Sequence, residues 1–205
     1  MGWAAASSFP VGGGVIDVFT GGGAPRIVGS LACSAVSGLN PVNGSSAANL
    51  LIGTAGADYI VGGGGDDIIL GLGGSDCIVT TTGADVIDGG AGNDEIQAGG
   101  GANKVNGGLG NDTVTTTGSA ANAISVGEGN DLVTTAGGAD LVAGGPGHDT
   151  LNTGAGDDLF DGGDGEDTIG AGDGANTVNG GPANDTITAG SGNDLIDPGD
   201  GTNSV

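Results

Sequence analysis

From Ile60 an apolar residue returns every nine positions: Ile60, Ile69, Ile78, Ile87, Ile96, Val105 and Val114. After one extra residue the series resumes with Ile124, Val133, Val142, Leu151, Phe160, Ile169, Val178, Ile187, Ile196 and Val205. Most are β-branched, and each stands in a stretch of three between glycine-rich segments. That pattern predicts a very short strand with one side chain turned inward and its two neighbours turned outward. A three-residue strand cannot be stable alone, so consecutive units must coil and stack, each strand pairing with one a full coil away. The expected core is a narrow column of Ile and Val.

Counted as nonapeptides, the copies start at Gly53, Gly62, Gly71, Thr80, Gly89, Ala98 and Gly107, pass over Thr116, and restart at Thr117. They then run without interruption to Pro198, making seventeen copies with the last one residue short. The sixth place is Asp or Asn throughout, and the fourth is Gly except at Ala120 and Ala183. Glycine at such turn places is expected where the backbone needs positive φ or a close approach to a ligand.

Composition sharpens this picture. Fifty-one glycines against one Trp, one Tyr and three Phe leave too little bulk for an ordinary globular core. The net charge of −23, with only Arg26 and Lys104 as fixed cations, repels nucleic-acid phosphates and points to cations as partners. No apolar run is long enough to span a membrane. Residues 1–52 are Gly/Ser-rich and read as an N-terminal cap or linker, lacking the basic start of a secretory signal. Cys33 and Cys77 permit one disulfide, which would pin that cap to the repeats, or two buried thiols.

The chain shows no catalytic constellation, and it is read as not an enzyme. His148 occupies a variable fifth place, where Asn93, Asn111, Asn130 and Glu166 stand in sister copies. Paired acids such as Asp66–Asp67 and Asp157–Asp158 are turn residues rather than a poised acid and base.

The copies GGAGNDEIQ, GGLGNDTVT, GGPGHDTLN and GGDGEDTIG match G-G-x-G-x-D-x-U-x at every defined place. The array therefore resembles the RTX family, the haemolysin-type calcium-binding repeats. The resemblance implies an all-β, right-handed parallel β-roll over residues 53–205, with two nonapeptides per coil and about eight and a half coils. Alternate copies then share an edge. In the family the sixth-place aspartate is the side-chain ligand of Ca2+, with turn carbonyls completing the shell.

Carried onto this chain, the first edge presents Asp58, Asp76, Asp94, Asp112, Asp131, Asp149, Asp167 and Asp185, and a file of calcium ions is expected there. Carbonyls of turn residues such as Gly89, Gly107, Gly144, Gly162 and Gly180 would contribute. The second edge presents Asp67, Asp85, Asp140, Asp158 and Asp194, interrupted by Asn103, Asn122 and Asn176, and a partial, weaker file is expected. The asparagines remove charge, and they could instead stack as amide ladders.

Calcium takes six to eight oxygens, which stacked turns can supply. Without cations the stacked carboxylates repel, so the array should be expanded when apo and fold on binding. The implied setting is extracellular, as a secreted structural or secretion-associated module.

Two other readings use the same coil. The outward columns Thr113, Leu132, Thr150, Thr168, Thr186 and Thr115, Thr134, Asn152, Gly170, Thr188 resemble the threonine arrays of ice-binding solenoids. The array could also serve as an adhesin spacer of roughly 40 Å, given a strand spacing of about 4.8 Å.

Overall fold

The protein is described by a computed structural model, which covers the strand backbones of residues 8–11 and 14–19 and all of residues 39–205. Every regular element among the described residues is a β-strand. The strands form two sheets, one of eleven and one of nine, and successive strands along the chain from Asn40 onward alternate between them. All pairings are parallel except that of Ser8–Val11 with Gly14–Phe19. The result is a β-solenoid in which each coil contributes one strand to each sheet.

Register follows the period. Ile60 pairs with Ile78 and Ile78 with Ile96 in the nine-stranded sheet, while Ile69 pairs with Ile87 and Ile87 with Val105 in the other. The offset is two nonapeptides. From Ile60 to Ile187 every eighth-place side chain is at most 4% exposed. Each such Ile or Val removed from water contributes about 1.5–3 kcal/mol, which ordering of the glycine-rich turns offsets. Only stacking in both directions keeps the balance favourable, because one coil alone leaves both its faces in water.

The stack already includes residues before Gly53. Val42 pairs with Ile60 and Leu51 with Ile69, and both side chains are buried in the column. The nonapeptide rhythm therefore continues into Asn40–Ser45 and Asn49–Ile52, although neither copy begins Gly-Gly and Ala47 holds the fourth place of the second.

The extra residue lies elsewhere than the alignment sets it. Thr116 pairs with Ala98 and is buried, whereas Thr117 is exposed and pairs with Gly100. Thr116 is thus the first-place residue of its copy, and the turn Thr117–Asn122 absorbs the insertion. The ambiguity came from three consecutive threonines, Thr115 to Thr117.

Among the apolar residues expected to face outward in the first copies, Ile68 and Val86 are exposed, while Tyr59, Val61, Leu70 and Val79 are half-buried. Cys77 is buried instead. Whether the N-terminal segment covers this patch, and whether Cys33 pairs with Cys77, turns on residues 20–38, which lie outside the described residues. No cysteine among the described residues is free. Among the described residues no helix is long and apolar enough to cross a membrane.

Candidate metal centre

A first-edge turn begins as the chain leaves the eleven-stranded sheet and ends at the sixth-place aspartate, just before the next strand. In Gly89–Asp94, Gly90 and Gly92 have φ of 105° and 132°, a region that only glycine enters without cost. The same pair of positive angles recurs at the second and fourth places of each first-edge turn from Leu72 and Gly74 to Gly199 and Gly201. Two of these places are held by residues with a Cβ, Leu72 and Ala183, at φ 77° and 97°.

The sixth-place side chains turn inward and form a ladder. Oδ1 of each accepts the backbone N–H of its counterpart one coil earlier, at 2.7–2.9 Å from Asp58 to Asn203. The second edge does the same at 2.7–3.1 Å, from Asn49 through Asp67, Asp85, Asn103, Asn122, Asp140, Asp158 and Asn176 to Asp194. Asp and Asn share this acceptor, which is why either serves at the sixth place.

They differ in the other atom. Oδ2 of Asp76, Asp94, Asp112, Asp131, Asp149, Asp167 and Asp185 is buried with no hydrogen-bond partner, as is Oδ2 of Asp67, Asp85, Asp140 and Asp158. At Asn103 and Asn203 the amide nitrogen in that position donates to the first-place carbonyl of its own turn, Ala98 at 3.0 Å and Pro198 at 2.9 Å. Where an aspartate stands, an oxygen replaces that donor. Two acceptors then share one buried space, and leaving them so is costly unless a proton or a cation joins them.

The first-place glycines show where that space is. A Cβ on Gly89 would lie 2.5 Å from Asp94 Oδ2 and 2.6 Å from the Gly107 carbonyl oxygen of the next coil. One on Gly162 would meet Asp167 Oδ2 and the Gly180 carbonyl in the same way, and one on Gly144 would meet Asp149 Oδ2 and the Gly162 carbonyl. Carboxylate and carbonyl therefore face a common cradle, kept open by the absence of a side chain. Val126 departs from this pattern, and its side chain joins the core.

Among the described residues no three Asp, Glu, His or Cys side chains converge on one point. An ion here would take most of its oxygens from the backbone. That donor set of hard oxygens, few of them charged, fits calcium, which accepts carbonyls in a flexible shell. Magnesium demands a tighter octahedron and keeps its waters.

Burial, above all, raises the carboxyl pKa values. Asp76 and Asp112 are pushed up to about 7, Asp67 and Asp149 to about 6, and Asp85, Asp94, Asp131, Asp158 and Asp167 shift the same way. The backbone N–H that each accepts pulls downward but does not offset the lost hydration, and neighbouring aspartates add to the rise at Asp67, Asp76, Asp112 and Asp149. A positive charge beside such carboxyls favours their ionised form and opposes this rise.

Not every expected ligand is in this state. Asp58 Oδ2 accepts both the N–H and the hydroxyl of Thr54, so its second oxygen is already satisfied. Asp194 is only half-buried. Sequence reasoning also missed an outer ladder at the fifth places of the first edge, in which the N–H of Asn111 donates to Asn93, that of Asn130 to Asn111 and that of His148 to Asn130. His148 continues it by accepting the Glu166 N–H on Nδ1 at 2.9 Å.

The fold and this donor set define a calcium-binding β-solenoid. The RTX calcium-binding nonapeptide repeat matches residues 43–76, 79–114, 116–151, 135–169, 143–178 and 170–205, and the chain belongs to that family. The family's nonapeptides bind multiple calcium ions per array. No curated protein matches the chain.

Proposed function

We propose that the first-edge turns from Asp76 to Asp185 hold a file of calcium ions, and that loading this file folds the array. The observation that carries the reading is the row of seven buried first-edge Oδ2 atoms without a partner, six of them, all but that of Asp131, facing a first-place glycine. Without cations these carboxyls must either protonate or leave the interior, and both options oppose the stacked state near neutral pH. The calcium concentrations found outside cells suit sites built mainly of carbonyls, so the setting is extracellular, where the array serves as a structural or secretion-associated module.

Far-UV circular dichroism of the chain in chelator, titrated with calcium and separately with magnesium, tests this. A cooperative rise of β signal with calcium alone is expected. A full β spectrum in chelator at neutral pH would overturn calcium-dependent folding.

The threonine face supports a second reading. Thr150, Thr168 and Thr186 are stacked in register on the nine-stranded sheet, as are Thr115 and Thr134. Leu132, Asn152 and Gly170 interrupt the columns. A thermal-hysteresis assay separates ice binding from calcium binding alone.

A further inference from the structure

We infer that the two edges of the coil are held by different chemistry: calcium at the first, and hydrogen bonds within the chain at the second, apart from the turns Gly62–Asp67 and Ala189–Asp194. The inference rests on the reading that calcium loads the first edge, and it assigns the second edge a different role.

The backbone separates the edges first. At the second place of a second-edge turn φ is positive only at Gly63 and Gly172. Gly99, Gly154 and Gly190 occupy the same place without entering that region, though glycine would allow it. Most second-edge turns therefore bend differently at their second place, though they share the positive φ of the fourth.

The first-place residue separates them again. First-edge glycines leave no room, since a Cβ on Gly71, Gly89, Gly107, Gly162 or Gly180 would fall within 2.7 Å of the aspartate Oδ2 of its own turn. On the second edge Thr80, Ala98, Thr116, Thr135, Thr153 and Ala171 carry side chains at this place, and all are buried. The cradle is filled.

What fills it correlates with the sixth place. Alanine accompanies asparagine: in Ala98/Asn103 and Ala171/Asn176 the amide donates within its own turn, to Ala98 O at 3.0 Å and to Gly172 O at 3.4 Å. Threonine accompanies aspartate in Thr80/Asp85, Thr135/Asp140 and Thr153/Asp158. Thr80 Oγ1 and Asp85 Oδ2 are both buried with no hydrogen-bond partner, as are Thr135 Oγ1 and Asp140 Oδ2, so a hydroxyl donor and a carboxylate acceptor are left over in the same turn. Thr153 Oγ1 instead donates to the Ala171 carbonyl of the next coil at 2.9 Å, tying two second-edge turns together.

Thr116/Asn122 follows the same logic, because Asn122 donates to Thr116 Oγ1 at 3.3 Å and to Ala120 O at 3.0 Å; Ala189/Asp194, half-buried near the end of the stack, departs from it, with alanine beside aspartate. Apart from Ala189/Asp194, each pairing places a proton donor where the first-edge turns from Asp76 to Asp185 have only acceptors.

Gly62–Asp67 is the exception on all counts. It reads GGGGDD, has φ of 90° and 92° at Gly63 and Gly65, and leaves Asp67 Oδ2 unpartnered 2.5 Å from a Cβ on Gly62. It is a first-edge turn in all but position, and it is assigned to the calcium-held class.

Native mass spectrometry, counting calcium ions on the folded chain, tests the division. The double variant Thr135→Ala/Asp140→Asn copies the natural Ala98/Asn103 pair and should keep the wild-type ion count. Asp112→Asn on the first edge should bind at least one ion fewer. Should Asp112→Asn fail to fold, Ala98→Gly/Asn103→Asp turns AGGGAN into GGGGAD and should gain an ion, whereas an unchanged count on that folded variant counts against the inference. Equal ion loss in the second-edge and first-edge variants would overturn the division while leaving calcium binding intact. A wild-type chain that takes up no calcium would overturn both.

Discussion

The side-chain amide of Asn103 donates to the carbonyl of Ala98 at 3.0 Å, inside a single turn. Half a coil earlier, Asp94 has an oxygen in the corresponding position, and it has no partner. One turn closes on itself, and the other leaves an acceptor that the proposed calcium file would use. Asp94→Asn is therefore expected to weaken calcium binding yet leave the chelated chain more structured, because it removes a buried charge and gains a hydrogen bond of about 1 kcal/mol. Circular dichroism in chelator checks this. A variant less ordered than wild type under those conditions would contradict it.

The pH dependence should reverse sign with calcium. A carboxyl whose pKa is higher in the folded chain binds more protons there, so apo stability falls as pH rises from the ordinary value of 3.8 through the folded values of about 6 and 7. In chelator, the β signal in circular dichroism should be larger at pH 4.5 than at pH 8. In calcium the carboxylates must be deprotonated to bind, so the calcium needed for half-folding should fall as pH rises through that same interval.

Leu72 holds a φ of 77° with its side chain exposed. Leu72→Gly should raise the unfolding midpoint, since a left-handed residue with a Cβ costs roughly 1–2 kcal/mol and little packing is lost. Gly108→Ala should act in the opposite sense, because φ is 118° there and the Gly90 carbonyl occupies the space of the methyl group. Thermal unfolding in saturating calcium compares the two.

Ile96 is fully buried between Ile78 and Val114. Ile96→Ala should cost about 2–5 kcal/mol, the range for a large-to-small change that leaves a cavity. Because each coil touches only its neighbours, the damage should appear in hydrogen exchange of the adjacent coils before distant ones.

The coil was legible because one residue in nine must face the axis, and Ile60 to Val205 advertise it. Val42 and Leu51 escaped that reading, since their turns lack the Gly-Gly start. The sixth-place aspartates were legible as candidate ligands from the resemblance. Their division of labour was not, because the use of Oδ1 by a backbone N–H eighteen residues away exists only once coils stack. Thr54 on Asp58 is likewise a contact of turn geometry. The pairing of alanine with asparagine and threonine with aspartate on the second edge was present in the letters. It acquires meaning only when the first and sixth places are seen to share one buried space.

The central claim is tested most directly by calcium anomalous difference density from crystals grown in calcium. The account predicts a file of peaks beside the Oδ2 atoms from Asp76 to Asp185, repeating once per coil. A stacked coil with no calcium within coordination distance of those atoms would contradict it.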